Sequence, residues 1–244
     1  MITFILSAIK IIILLGFLIF IHELGHFTVA KLCKVKVNEF AIGFGPTIWK
    51  KQGKETKYAL RLIPLGGFVS MEGEEEHSDK EGSFSKASVW KRIAIVSAGA
   101  IVNIIFAIVV FFILASILQG NIGYGIMSTK KFIGSIFESL KMMFTGKVGM
   151  NDMMGPVGLG SVVSSTTGIA DFVYILSVIS LSLGVTNLLP IPALDGGKIL
   201  ILLIEAIRRK PMKEDLEIKI QMLGFAFLIT LSLIVTYNDI ARII

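Results

Sequence analysis

From Ile93 to Leu118 the chain runs through twenty-six residues without one charged side chain. Wound as an α-helix at 1.5 Å per residue, such a block is about 39 Å long, more than the roughly 30 Å hydrocarbon core of a bilayer. A helix apolar on every face has no home at a water-exposed surface. Three more blocks are nearly as apolar, at about Ile5–Ala30, Ile169–Leu189 and Ile218–Tyr237, with one or two charged residues each. Only 17% of the 244 residues are charged and 54% are hydrophobic, against about 25% charged in a soluble domain. The expected fold is therefore mostly α: a polytopic membrane protein with about four transmembrane helices in a lipid bilayer. Lys10, near the start of the first block, is expected to snorkel to the nearer interface. That block runs on past Ile21 without a small-x-small cleavage signal, so it reads as a retained helix and not a signal peptide. A single cysteine, Cys33, allows no internal disulfide.

Charge in the connections sets the orientation. Lys31–Arg92 carries twelve Lys and Arg, Pro190–Glu217 five, and Gln119–Gly168 four. By the positive-inside rule the first and third connections face the cytoplasm and both termini lie outside. The same bias accounts for the net charge of +6 without calling on nucleic acid. Read this way, residues 1–244 make one integral membrane domain. Its spans are about 5–30, 93–118, 169–189 and 218–237, with a cytoplasmic β region at about 35–72 and an outer loop at 119–168.

The β region is a small membrane-associated hairpin or sheet. Val35–Gly45 alternates like a strand and ends in a Gly-Pro turn signal; Thr56–Ile63 is a second strand, broken at Pro64, with Phe68–Met71 returning. Glu72–Glu81 is a charge run that reads as a solvated, mobile loop, and His77 within it reads as surface. In the outer loop, Phe132–Thr145 has apolar residues at helical spacing and suits an amphipathic helix on the membrane face. A Gly/Pro-rich stretch from Met153 follows it.

Chemistry concentrates at the end of the first block, Phe20–Phe27. His22 and His26 are four residues apart, so on a helix both imidazoles leave one face about 6 Å apart. That spacing suits two ligands of one Zn2+, with Glu23 reaching the water on the open position. A packing role for the pair is the competing reading, but ionisable groups inside a span cost about 2.5–3.5 kcal/mol each near its centre, which favours function. A third ligand must come from elsewhere. Asp195 is the one carboxylate in a rigid stretch at interface depth, Asn187-Leu-Leu-Pro-Ile-Pro-Ala-Leu-Asp-Gly-Gly197, whose prolines and glycines cannot continue a helix. It is assigned as the third ligand, with helix capping as its alternative role. Glu23 would then act as general base and acid in peptide hydrolysis. Substrate in a membrane must be unwound, and the Tyr58–Met71 hairpin could hold it by strand addition, with a structural plug as the other reading. Asn187 could bond a substrate main-chain group.

These residues carry a resemblance that covers nearly the whole chain. His22-Glu-Leu-Gly-His26, Phe40-Ala-Ile-Gly-Phe-Gly-Pro46, Ile63-Pro-Leu-Gly-Gly-Phe68 with Met71-Glu-Gly-Glu74, Asn187–Gly197 and Tyr237-Asn-Asp-Ile-Ala-Arg242 occur in order. Together they resemble the site-2 protease family of intramembrane zinc metalloproteases, most of all the bacterial regulator-of-sigma-E protease type. The resemblance implies zinc ligands His22, His26 and Asp195, and a catalytic Glu23. It also implies a membrane re-entrant hairpin at Pro64, Leu65, Gly66, Gly67 and Phe68, and substrate contact by Asn187 in the segment with Pro190 and Pro192. Two departures stand out. Gly99-Ala-Ile-Val-Asn103 has Ala100 where the family has proline, but keeps Gly99 and Asn103, so a close helix approach is expected there without a kink; and the outer loop has no room for the PDZ domains usual in the type.

The function implied is regulated intramembrane proteolysis in the bacterial inner membrane. Substrates would be transmembrane proteins or peptides such as anti-sigma factors or signal-peptide remnants, cut near the cytoplasmic side. A catalytically silent scaffold of the same fold and a zinc transporter are the alternatives. Nothing in the residues fixes an oligomeric state.

Overall fold

The computed structural model describes residues 2–74, 76–147 and 154–243. Helix α1 (Ile2–Leu32) leads into strands β1 (Val37–Gln52) and β2 (Lys57–Met71), followed by α2 (Val89–Gln119) and α3 (Ile122–Phe144). The chain then forms α4 (Pro156–Ser164), α5 (Ile169–Asn187), α6 (Asp195–Arg208) and α7 (Glu214–Ile243). Four helical stretches are long and apolar enough to cross a membrane: Ala8–Leu32, Val89–Gln119, Ile169–Asn187 and Glu214–Arg242. The mostly helical class with a small sheet is as the sequence implied. Met153, where the Gly/Pro-rich stretch of the outer loop begins, lies outside the described residues.

The chain divides into two compact units, with breaks inside α1, α2, α5 and α7. The first unit comprises residues 1–11, 104–182 and 226–244. In it the Lys10 ammonium donates to the Thr166 carbonyl at 2.8 Å, just before the span that opens at Ile169. The amphipathic helix α3 begins at Ile122, ten residues before the apolar spacing at Phe132 announced it. The Asn121 side chain caps its start by accepting from Gly123 N at 2.8 Å. Phe132 is buried and stacks on Phe111 with centroids 4.1 Å apart. Buried Asp239 of α7 accepts from Gly158 N at 2.7 Å, so a carboxylate meets the positive end of α4.

The second unit comprises residues 12–103 and 183–225. Its core gathers Ala30, Val37, Phe40, Val69, Met71, Phe84, Ile95 and Leu202 from α1, the sheet, α2 and α6. The strands are longer than their turn signals suggested. Gly43 and Gly45 take φ of 88° and 80°, conformations open to glycine, so β1 bends through Gly-Pro instead of stopping there. Consequently Glu39–Ile42 is paired on both edges, with Ser70–Gly67 on one and Lys57–Leu60 on the other, while Thr47–Gln52 pairs with Arg61–Lys57. β2 likewise passes through Pro64 without ending.

The charge run is also tighter than expected. The Glu72 carboxylate accepts from Lys80 and from the Ser78 hydroxyl, each at 2.9 Å. Gly82 O accepts from Lys36 N at 2.8 Å, and Glu72 O from Phe84 N at 2.7 Å. A stretch rich in charge can thus be held by its own side chains, which composition alone does not reveal.

Candidate active site

All the residues that converge here belong to the second unit. α1 presents His22 and His26 one turn apart, ring centroids 4.7 Å, with the two Nε2 atoms 3.1 Å from each other. Asp195 opens α6, and its Oδ2 is 3.3 Å from His22 Nε2 and 3.5 Å from His26 Nε2. Oδ2 is buried and makes no well-formed hydrogen bond.

The rings are aimed from behind. His26 Nδ1 lies 2.8 Å from the Ile95 carbonyl of α2, which can only accept, so Nδ1 carries the proton and Nε2 keeps a lone pair. His22 Nδ1 lies 3.3 Å from the Asn103 side-chain amide, whose rotation by a half turn offers an acceptor in the same place. α2 can come this close because of two glycines. A Cβ on Gly25 would strike the Ala98 carbonyl, and one on Gly99 would run into His26 Nε2 and stand 2.8 Å from His22 Cε1. α2 is unbroken through Gly99–Asn103, so the approach is made without the proline kink.

Asp195 owes its position to the preceding turn. The Pro190 and Pro192 segment ends α5, and Ala193 takes φ of 73° before α6 begins. The turn is wedged against α7: Ala193 N donates to the Gln221 side chain, and a Cβ on Gly224 would collide with Pro192. Gly196 and Gly197 lie directly against the Leu188–Pro192 backbone, where a side chain would have no space.

A cavity of about 210 Å³ holds His22, Glu23, His26 and Asp195 together with Gly67, Phe68, Val69, Glu74 and Lys198. The β2 residues Gly67 and Phe68 thus share the cavity with the triad. A side chain on Gly67 would press on Glu23 Cγ, so the strand passes directly over that carboxylate. Gly66 has φ of 127° and abuts the Phe44 ring. Pro64 and Leu65 belong to the same strand, and Asn187, Pro190 and Pro192 lie outside the cavity lining. Two polar neighbours were not foreseen. Lys198, one turn after Asp195, pairs with Glu74 at 2.8 Å and lies over the Phe84 ring. Its i, i+3 spacing from Asp195 was the available signal. Among the described residues His22, His26 and Asp195 are the one His/Cys/Asp/Glu group able to hold a metal ion; His77 instead stands 3.5 Å from Asp79.

Comparison with known proteins agrees over most of the chain. The model of peptidase family M50 matches residues 10–231. A Clostridium acetobutylicum protein, provisionally named a zinc metalloprotease, is 31% identical over 94% of this chain and 96% of its own length. Zinc metalloprotease RasP of Bacillus licheniformis is 25% identical over 97% of the chain and 99% of its own. The regulator of sigma-W protease RasP of Bacillus subtilis is 25% identical over 98% and 99%. These alignments extend over 325, 416 and 419 positions, so the relatives contain internal stretches without counterpart in these 244 residues.

Proposed function

Because this chain belongs to peptidase family M50, we propose that it is a zinc metalloprotease that hydrolyses peptide bonds in the transmembrane segments of other membrane proteins. The observation that carries the reading is the donor triangle. Ligands on a tetrahedral zinc at about 2.0–2.2 Å stand about 3.3–3.5 Å from one another, and the three donor atoms are separated by 3.1, 3.3 and 3.5 Å. Two neutral imidazoles and one carboxylate are a usual catalytic donor set, and they leave a fourth position open. His22, His26 and Asp195 would hold the ion. When bound, zinc supplies a Lewis acid that polarises the scissile carbonyl and makes water acidic near neutral pH.

The chain's own groups do the remaining work. Glu23 shares the cavity with the triad and takes the proton of the attacking water. As the carbon–nitrogen bond breaks, it passes that proton to the departing amine, so the products are a carboxylate and an amine. Substrate must arrive extended, because a helical peptide bond has its carbonyl occupied. Gly67–Met71 pairs with β1 on one side and, among the described residues, with no strand on the other. An extended segment added there would cross Glu23, since Gly67 lies against that side chain. In this reading Pro64–Phe68 is the re-entrant guide, and Asn187 with Pro190 and Pro192 flanks the bound strand. Regulatory proteins such as anti-sigma factors, or signal-peptide remnants, are the proposed substrates. The relatives' additional internal stretches support reading this chain as the membrane protease core alone, without a PDZ domain.

The seventeen basic residues of the first and third connections support a site near the cytoplasmic face of a bacterial inner membrane, with both termini outside. Labelling of Cys33 from the outer side of intact cells would contradict that orientation. For the chemistry, the decisive measurement is cleavage of a single-pass model substrate in proteoliposomes. Glu23→Gln should abolish cleavage while the protein keeps its zinc; cleavage at the parent rate would sink the assignment.

A further inference from the structure

The outer part of the sheet takes no part in the cavity. Thr47–Gln52 and Lys57–Arg61 form an arm, paired Thr47 with Arg61, Trp49 with Leu60, Lys51 with Tyr58 and Gln52 with Lys57. Its depth can be read from contacts with α1. A side chain on Gly67 would meet Ile19 and Glu23, the Tyr58 ring is 6.1 Å from Phe27, and Glu55 in the arm's turn pairs with Lys31 at 2.7 Å. Lys31 lies in the last turn of the span Ala8–Leu32. From Ile19 to Lys31 is about 18 Å of helix. The arm's turn therefore sits level with the end of the span, and the strands descend from it alongside the helix.

Exposed side chains sort along this depth. Phe44, Ile48, Leu62 and Ile63 are exposed toward the deeper bends, and exposed Leu60 pairs with Trp49. Exposed Trp49 stands between that surface and three exposed lysines nearer the turn, Lys50, Lys51 and Lys54. The nearby carboxylates are already engaged: Glu55 by Lys31, and Glu39 by Lys57 and Arg61. Among the described residues no carboxylate pairs with the three lysines. Three uncompensated ammonium groups within five residues, beside an indole and above an apolar surface, match the anionic side of a bilayer interface.

We propose that this arm is a lipid-docking element, with Trp49 seated at the interface and Lys50, Lys51 and Lys54 binding the phosphates of anionic phospholipids. The inference rests on the membrane-spanning reading of α1 and not on the proteolytic one. It makes the sheet that passes over Glu23 responsive to the charge of the surrounding leaflet.

The test uses the full chain carrying Trp90→Phe, an exposed position, so that Trp49 is the one tryptophan. The protein is reconstituted in vesicles of phosphatidylcholine and phosphatidylglycerol, with either lipid brominated at equal mole fraction. Trp49 fluorescence should be quenched by both, and about twofold more by the brominated anionic lipid. Salt at about 0.5 M should shrink that preference. Replacing all three lysines by glutamine should remove the preference while leaving Trp49 quenched. Equal quenching by both lipids in the parent would overturn the proposal, as would an unquenched Trp49 open to acrylamide. If soluble polyglutamate abolished the preference, the lysines would instead belong to an acidic polypeptide, and the proposal would fail. Proteolytic activity does not enter any of these readings, so its loss or survival leaves them intact.

Discussion

Gly99→Ala is the sharpest probe of how the site is assembled, since it adds one methyl group and no charge. The new carbon would stand 2.8 Å from His22 Cε1 and 2.8 Å from His26 Cδ2, and closer still to His26 Nε2. Ordinary contact begins near 3.4 Å, so both rings must retreat by roughly 0.6 Å or more. Their retreat is blocked on the far side, where His26 is bonded to Ile95 O and His22 faces Asn103. The donor triangle would therefore distort on the scale of its own tolerance. Misplacement of about 1 Å at a reacting centre costs on the order of 10²-fold in rate, about 2.7 kcal/mol of transition-state stabilisation. The assay is single-turnover cleavage in proteoliposomes, read together with bound zinc and the thermal transition. Gly16→Ala is the control: it lies on α1, the helix that carries both histidines, and nothing stands within 4 Å of its added carbon. We expect Gly16→Ala to match the parent, and Gly99→Ala to lose about 10²-fold in rate and part of its zinc, while unfolding within a few degrees of the parent. Cleavage within about threefold of the parent would refute the geometric reasoning. So would a collapse of the thermal transition, which would place the damage in the fold and not at the rings.

Three further outcomes follow from the same contacts. Asp195→Ala removes one corner of the triangle, so zinc measured by elemental analysis should fall from one per chain to near none; unchanged zinc would exclude Asp195 as a ligand. Arg92 and Glu205 form an ion pair at 2.9 Å with the glutamate buried, so Arg92→Met strands a charge and should destabilise by about 3–5 kcal/mol. Thermal unfolding reads this, and a shift no larger than that of an exposed Lys→Met change would count against it. Lys80 and Ser78 hold the Glu72 carboxyl down to about 2. Because the folded value is depressed, its stabilisation is present above the ordinary value of about 4.5 and is lost as pH falls through about 2. Hydrogen exchange across Glu72–Ser85 should accordingly stay protected at pH 5 and be released below pH 2, and a release already complete at pH 4 would contradict the network.

What could be read from the residues was whatever depended on spacing and hydropathy. His22 and His26 share a helix, so a four-residue interval is already a geometry. The long apolar blocks are already spans, because lipid permits little else. Asp195 was legible for a different reason: a carboxylate in a Pro/Gly-bounded stretch beside a span has few possible uses. What escaped was whatever depended on a partner distant in the chain. Gly99 was legible as a close helix approach through the motif alone, but its facing two imidazoles was not, and Lys198 carries no mark of pairing with Glu74. Nothing local to Lys10 announces its bond to Thr166. Gly43 and Gly45 read as a stop, since a turn and a bend through a continuing ladder use the same residue. The hydrogen bonds inside the charge run were not legible, because composition counts charges and does not pair them.

The wedge of α7 against the turn before Asp195 has a consequence for how such a site can drift. Two donors ride on a single rigid helix, and their separation is insensitive to anything outside it. The third is cantilevered from a short turn whose seat is a glycine and a glutamine near thirty residues downstream. Substitutions at 221 or 224 would slide one vertex of the triangle while leaving the other two fixed. The affinity of the site can thus be retuned from a helix that contributes no ligand to it.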